Sequence, residues 1–201
     1  MTAAEREAQY ARAIAARRAF ALPGYATLAD VGMEGAYVSP IQLTSGNLAG
    51  PMLISKDWLD APSAQANAAR LRQTGYLPEI PFNRVLDGAL AQLGLTRGDV
   101  YISPIFQLLP DRRSSQIPAV HARASFQAVV RHEIMGRRPV ALGQDSARTL
   151  RHFGVPHEVA PHPSARIGTF AQKAEAIAAA IMRAHPGLPG NPTPARQGAA
   201  A

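Results

Sequence analysis

The sequence predicts an α/β protein, a three-layer α/β/α domain with a central four-stranded, mainly parallel sheet. Short apolar runs bounded by Gly and Pro, typical of buried strands, alternate with longer segments of helical periodicity. Such alternation favours a parallel sheet with helices on both faces. The 201 residues suit one domain, and an apolar content of 47% indicates a globular protein.

The N-terminal quarter contains one clear element. Apolar and bulky side chains recur at spacings of three or four within residues 3–20, which predicts a helix that ends at Pro23-Gly24. Residues 24–50 are rich in Gly, Ser, Pro and Asn, and we expect an irregular lead-in with candidate short strands at 36–38 and 41–44.

The remaining elements alternate as the fold class requires. Strands are predicted at residues 52–54, 99–103, 139–142 and 157–160. Helices are predicted at residues 63–73, 83–93, 118–135 and 169–185, with a short one ending at 153. The domain therefore spans residues 1–185, with an N-terminal helix in 1–22 and the core in 50–182. The Pro-, Gly- and Ala-rich segment 186–201 is expected to be a disordered tail.

Polar side chains follow the first and last strands. Lys56, Asp57 and the single tryptophan, Trp58, come directly after the run Met52–Ile54. Ligands of open α/β sheets bind outside the carboxyl ends of the strands, so a reactive carboxylate is expected there. The alternative is that Asp57 merely caps a following helix.

His162 follows the last strand in a stiff loop. Pro161 and Pro163 restrict the backbone on both sides of this histidine and disfavour helix. Ser164 and Arg166 add a hydroxyl and a guanidinium, a combination suited to phosphate. Because the carboxyl ends of parallel strands share one edge, Asp57, Gln107, Gly143 and His162 are expected to meet in a common cleft.

Charge and composition narrow the function. The net charge of +7 favours a polyanionic partner, and all the basic side chains except Lys56 and Lys173 are arginine or histidine. The absence of cysteine excludes disulfides, a cysteine nucleophile and cysteine-ligated zinc or iron–sulfur centres. No apolar run reaches ~20 residues and the N-terminus lacks a signal core, so we expect a cytoplasmic protein that does not enter the membrane.

Four stretches of the chain together resemble the uracil-DNA glycosylase superfamily. Ile54-Ser55-Lys56-Asp57-Trp58 resembles the family's first catalytic motif, and His162-Pro163-Ser164 is identical to its second. Asp99–Pro104 resembles the strand that commonly ends in asparagine. Pro139–Gly143, with Ala147 after it, resembles the family's strand and Leu-Gly turn. The resemblance covers residues 50–182.

The resemblance implies a monofunctional DNA glycosylase that needs no cofactor or metal. It makes Asp57 and His162 catalytic: the carboxylate positions the attacking water and stabilises an oxocarbenium-like sugar, and the histidine stabilises the departing base. The base must leave the duplex, which requires phosphate contacts and an aromatic surface. Candidate base-binding residues are Trp58, Ser103, Phe106 and Gln107. Candidate phosphate-binding residues are Lys56, Pro163, Ser164 and Arg166. DNA is the expected partner of a monomer associated with the nucleoid.

Departures from the family pattern leave the function open, among them Trp58, which stands where other members have Pro or a small residue. Pro104 stands where the family's base-reading asparagine is expected, so Ser103 or Gln107 would have to substitute. Lys56 replaces a Gly or Gln, and it could lower the pKa of Asp57 or point away from the cleft. Three functions remain: removal of uracil or another damaged base, nucleic-acid binding without base excision, and an enzyme acting on a small nucleoside or nucleotide.

Overall fold

The fold is an α/β arrangement around four parallel strands. The computed structural model describes residues 1–113 and 115–188. Its strands are β1 (Met52–Ser55), β2 (Tyr101–Pro104), β3 (Val140–Leu142) and β4 (Glu158–Ala160). They pair in the order β2-β1-β3-β4, with every neighbouring pair parallel, which confirms the predicted sheet.

The strand order places β1 and β3 at the centre of the sheet. The chain leaves β1 towards β2 on one side, and it leaves β3 towards β4 on the other. A crevice opens at such a reversal, outside the carboxyl ends of the two diverging strands. The segments that follow β1 and β3 therefore flank the predicted ligand position.

The helices cover both faces of the sheet. They are α1 (Ala3–Ala19), α2 (Ala61–Ala66), α3 (Ala68–Thr74), α4 (Pro81–Gln92), α5 (Ala119–Ser125), α6 (Arg131–Ile134), α7 (Gln144–His152) and α8 (Phe170–Ala184). Successive residues of β1 point to opposite faces. Leu53 packs in the core that contains apolar residues of α4 and α8. Met52 and Ile54 pack with residues of α7 and of the helical segment between α5 and α6.

Two predicted helices differ in detail. The helix predicted at 63–73 is divided at Asn67, which ends α2 and begins α3. The long helix predicted at 118–135 is continuous, but its middle turn, Phe126–Val130, is a π-helix. Met135 ends this helix in the left-handed conformation, with φ of 50°.

The two candidate strands within residues 24–50 are wrong. Residues 36–38 form bends, and Pro40–Leu43 form a 3-10 helix that begins at proline. The Gln42 side chain accepts hydrogen bonds from the backbone N–H groups of Val38 and Ser39. These bonds satisfy backbone donors locally, so no sheet partner is needed.

Two predictions concern the ends of the chain and the membrane. The expected tail begins with a turn at residues 186–188, and its remainder, from 189 onwards, lies outside the described residues. None of the helices in residues 1–113 and 115–188 combines the length and the apolar content that crossing a bilayer requires.

Candidate functional site

A cleft of about 580 Å³ opens at the carboxyl edge of the sheet. This is the size of a small-molecule or nucleoside site. Its lining includes Lys56, Asp57, Trp58, Phe82, Pro104 and His162. The predicted catalytic residues, Asp57 after β1 and His162 after β4, therefore line the same cleft.

Asp57 is a half-buried carboxylate with one close cationic neighbour. Its side chain is 26% exposed, and its Oδ2 lies 3.7 Å from Nζ of Lys56. No other group in the described part of the chain bonds to this carboxylate. Burial raises the pKa of Asp57, and the charge of Lys56 partly opposes that rise. Apart from Lys56, the carboxylate therefore has no structural partner among the described residues, and its pKa lies above the ordinary value.

The capping alternative for Asp57 is wrong, because another aspartate has that role. Asp60 is the N-cap of α2, and its carboxylate accepts hydrogen bonds from the Ser63 backbone N–H and hydroxyl. These bonds satisfy a free donor at the start of the helix. Asp57 precedes the helix by three residues and takes no part in the cap.

His162 is held in one tautomer by its own loop. The Ser164 backbone N–H donates to His162 Nδ1 at 3.1 Å, so the proton of the neutral ring lies on Nε2. Burial, and then the charge of Lys56, lowers the pKa of His162 and keeps the ring neutral near pH 7. Nε2 has no hydrogen-bond partner in residues 1–113 and 115–188, which leaves it available to a ligand.

Gly143, expected at the same edge, supports His162 rather than lining the cleft. A Cβ at this position would lie 3.0 Å from His162 Cβ, closer than side chains normally pack. The backbone of Gly143 has φ of 102° and ψ of 174°, a region open almost only to glycine. The turn after β3 therefore needs glycine for both its conformation and its contact with the histidine.

Aromatic rings form the walls of the cleft. Trp58 packs against the cores on two sides, and its Nε1 donates to the Gly75 carbonyl at 2.9 Å. Phe82 contacts the His162 ring, with centroids 5.5 Å apart. Tyr76 completes this apolar lining. A flat aromatic ligand such as a nucleobase could stack here.

Three residues expected to bind the base do not line the cleft. The exposed fractions of Ser103, Phe106 and Gln107 are 0%, 1% and 5%. Phe106 belongs to the core on the α7 side of the sheet. Nε2 of Gln107 donates to Ser103 Oγ and to the Pro104 carbonyl. All three side chains are buried in the structure: Phe106 packs in an apolar core, and Ser103 and Gln107 bond to buried polar groups.

The side-chain amide of Gln107 and the hydroxyl of Ser103 belong to a buried polar cluster centred on Glu133. This carboxylate is 0% exposed and accepts hydrogen bonds from Gln42 Nε2 (3.0 Å), Ser103 Oγ (2.9 Å), Gln107 Nε2 (3.4 Å) and the Tyr101 hydroxyl. Burial raises the pKa of Glu133 to about 7 despite these donors. The cluster joins α6, β2 and the loop after it.

A positive charge lies beside the Glu133 cluster. The guanidinium of Arg137 stacks on the Tyr101 ring, 4.4 Å from its centroid, and donates to the Glu133 backbone carbonyl. Tyr101 in turn receives a hydrogen bond from Gln42. Sequence reasoning missed the cluster, although one signal was present: Glu133 falls on the apolar face of its helix, with Phe126, Val129 and Val130 at helical spacing.

The predicted phosphate-binding residues separate into exposed and buried positions. Ser164 lines the cleft, Arg166 is exposed and bonds to no other described residue, and Pro163 is buried. Arg113 also lines the cleft. It lies between the cleft and an adjoining open groove that Arg112 helps to form. Arg113 thus brings an exposed guanidinium group to the cleft, and the exposed Arg166 lies two residues after the lining residue Ser164.

No protein-family model matches the chain, and no curated protein is significantly similar to it. No group of three or more histidine, aspartate or glutamate side chains in the described ranges could hold a metal ion.

Proposed function

We propose that the chain is a DNA glycosylase with a uracil-DNA glycosylase-like fold, which hydrolyses the N-glycosidic bond of uracil or another deaminated base. The main support is one arrangement. A carboxylate without structural hydrogen bonds and a neutral histidine with a free Nε2–H line the same aromatic-walled cleft. In hydrolysis of a glycosidic bond, a carboxylate can act on the sugar and a hydrogen-bond donor on the leaving group.

Asp57 acts on the sugar in this proposal. Cleavage proceeds through an oxocarbenium-like sugar, whose positive charge a nearby carboxylate stabilises. The same carboxylate orients water for attack at C1′ and accepts its proton. The raised pKa of Asp57 favours the proton transfer, because a more basic carboxylate holds the proton better.

His162 acts on the departing base. Uracil leaves as an anion whose charge is on its carbonyl oxygens, and a fixed N–H donor stabilises such a charge. The Ser164 N–H fixes the donor on Nε2 of His162. The neutral ring does not need to lose a proton before it donates.

Recognition depends on stacking and phosphate contacts. Trp58, Tyr76 and Phe82 offer aromatic faces for an extruded base, and Arg113 and Arg166 offer charges to the backbone. Asn67 is the lining residue best suited to read the base edge. Its Nδ2 donates to the Ser63 carbonyl, and its Oδ1 bonds to no described group.

Pro104 favours a second candidate, nucleic-acid binding without base excision. This proline lines the cleft where the resemblance places a base-reading asparagine, and its side chain forms no hydrogen bond. Its carbonyl oxygen already accepts from Gln107. If no other group reads the base, the cleft would bind DNA without cleaving it.

Base release from defined oligonucleotides tests the proposal. Single- and double-stranded substrates carrying uracil, hypoxanthine or xanthine are incubated with excess protein, and released base is measured by chromatography. We expect release of at least one base and DNA binding that weakens as salt rises, because bound phosphates release counterions. Tight, salt-sensitive binding with no release from any substrate would instead support the second candidate.

A further inference from the structure

Lys56 is an unusual residue in an unusual place. The chain has 21 Lys and Arg residues, and only two of them are lysines. Arginine cannot lose its proton in proteins, whereas lysine can become a nucleophilic amine. One of the two lysines lines the candidate active cleft beside its reactive carboxylate.

The local geometry gives this amine a fixed position and a base. Its side chain is 19% exposed, and Nζ donates to the Ser115 carbonyl at 2.6 Å. The carboxylate of Asp57 is 3.7 Å away, within reach of an ammonium proton after a small movement. A phosphate contact alone would need neither this partial burial nor the adjacent carboxylate.

We propose that Lys56 is a catalytic amine that condenses with the aldehyde of an abasic site and cleaves the DNA strand by β-elimination. This activity goes beyond monofunctional base hydrolysis. It rests on the proposed function, because base removal in the same cleft creates the abasic sugar. In its open form that sugar carries an aldehyde at C1′, the carbonyl with which a lysine forms a Schiff base.

The step balances without an oxidant, a reductant or a cofactor. Asp57 takes one proton from the Lys56 ammonium, and the free amine attacks C1′. The carboxylic acid returns that proton to the C1′ hydroxyl, which leaves as water, so that a protonated imine forms between Nζ and C1′. The carboxylate then removes a C2′ proton. The electron pair forms a C2′=C3′ double bond, and the 3′ phosphate leaves. Water finally hydrolyses the protonated imine, which restores the Lys56 ammonium and releases the sugar aldehyde, and Asp57 loses the C2′ proton to solvent.

Reductive trapping on a preformed abasic site tests this chemistry without requiring base release. The full chain is mixed with an oligonucleotide that carries a natural aldehydic abasic site, with sodium cyanoborohydride present. We expect a covalent protein–DNA adduct on a denaturing gel, and mass spectrometry should place the reduced sugar on Lys56. An oligonucleotide carrying a tetrahydrofuran abasic analogue, which has no aldehyde, should give no adduct.

Two matched variants test whether the adduct depends on the amine of Lys56 rather than on its positive charge. Lys56→Arg keeps the positive charge and should lower the adduct yield at least about tenfold, because a guanidinium does not become a nucleophile. Lys173→Arg changes the other lysine, whose Nζ donates to the Ala165 carbonyl, and should retain the adduct. Circular dichroism and thermal melting should show that both variants fold.

The outcomes of trapping and of base release are distinguishable. An adduct on Lys56 without release of any base supports the amine chemistry and overturns the proposed glycosylase function. Base release without an adduct supports the glycosylase function and overturns the amine chemistry of Lys56. An adduct that maps to Lys173 or the N-terminal amine, or that persists in Lys56→Arg, overturns the inference.

Discussion

Asp57 and Glu133 are two carboxylates with opposite surroundings. Asp57 lies at the rim of the cleft, 26% exposed, with Lys56 at 3.7 Å as its one close partner. Glu133 lies in the interior, 0% exposed, and receives four hydrogen bonds from side chains. Burial raises the pKa of both groups, yet only one of them is accessible to a substrate.

Under the proposed function, the two carboxylates have separate roles, Asp57 in catalysis and Glu133 in structure. A buried carboxylate with a full set of donors holds elements together, and removing it leaves several donors unsatisfied. A carboxylate with few partners contributes little to folding and can interact with a reacting molecule. The two sites are connected through Pro104, which lines the cleft and whose carbonyl accepts from Gln107 of the Glu133 cluster.

The largest expected effect is on catalysis at Asp57. Asp57→Asn should reduce base release by about 10²–10⁴-fold, because the amide can neither accept the proton of water nor stabilise positive charge. Single-turnover release from the preferred oligonucleotide measures the loss. The thermal melting temperature should change little, since the carboxylate has no structural hydrogen bond.

A second aspartate provides a matched control for the Asp57 variant. Asp145 lies in the first turn of α7, is 51% exposed and pairs with Arg148. Asp145→Asn removes the same charge from a position outside the cleft lining and should change release by no more than a few-fold. Equal losses in the two variants would mean that the carboxylates act only through long-range charge, contrary to the proposed mechanism.

The next expected effect is on stability at Glu133. Glu133→Ala should lower the free energy of unfolding by roughly 3–5 kcal/mol, because buried donors lose their acceptor and a cavity remains. Urea denaturation measures this change. Loss of the cluster should also reduce base release indirectly, because Gln107 and Pro104 would move. Unchanged stability would show that the Glu133 carboxylate does not stabilise the fold.

Glu133 also predicts how stability depends on pH. Its pKa is about 7 in the folded protein, above the ordinary value of 4.5, so the folded state holds the proton more tightly than the unfolded state. The stability from this group is therefore complete below pH 4.5 and is lost as pH rises to about 7, by roughly 3 kcal/mol. Tyr10, whose pKa burial raises to about 12, does not titrate in this window.

Glu133→Gln isolates that contribution, because glutamine has no titrating proton. The difference in unfolding free energy between the wild type and this variant should change steadily between pH 4.5 and 7 and stay constant at higher pH. Chemical denaturation at several pH values measures it. A difference that is independent of pH would show that Glu133 does not titrate in this range.

The sequence predicts the sheet well because its signals are local. Apolar runs and turn residues determine the four strands, and the parallel order then brings Asp57 and His162 to one edge. The positions of Ser103 and Gln107 could not be predicted in this way. Their orientation depends on Glu133 and Gln42, which are distant in the sequence and meet only in the folded protein.

The structure of residues 24–50 could not be predicted from local sequence signals either. Apolar and polar residues at 41–44 fit a short strand as well as a 3-10 helix. The choice depends on Gln42, whose side chain bonds to backbone N–H groups nearby and reaches Glu133 across the core. Tertiary hydrogen bonds of this kind leave no periodic signal in a sequence.

The smallest expected effect tests whether the contact between Gly143 and His162 positions the imidazole in the cleft. In Gly143→Ala, the new Cβ would meet His162 Cβ at 3.0 Å, and the backbone would have to keep φ near 102°. We expect a loss of roughly 1–3 kcal/mol in the free energy of unfolding, the usual cost of a residue strained in this region. Base release should fall about tenfold, because the imidazole that donates to the leaving base in the proposed mechanism is displaced.

Gly154→Ala is the matched control, since Gly154 also has positive φ, at 66°, but has open space around it. It should have a smaller backbone cost and keep the activity, so that only a loss of release specific to Gly143→Ala assigns the effect to His162.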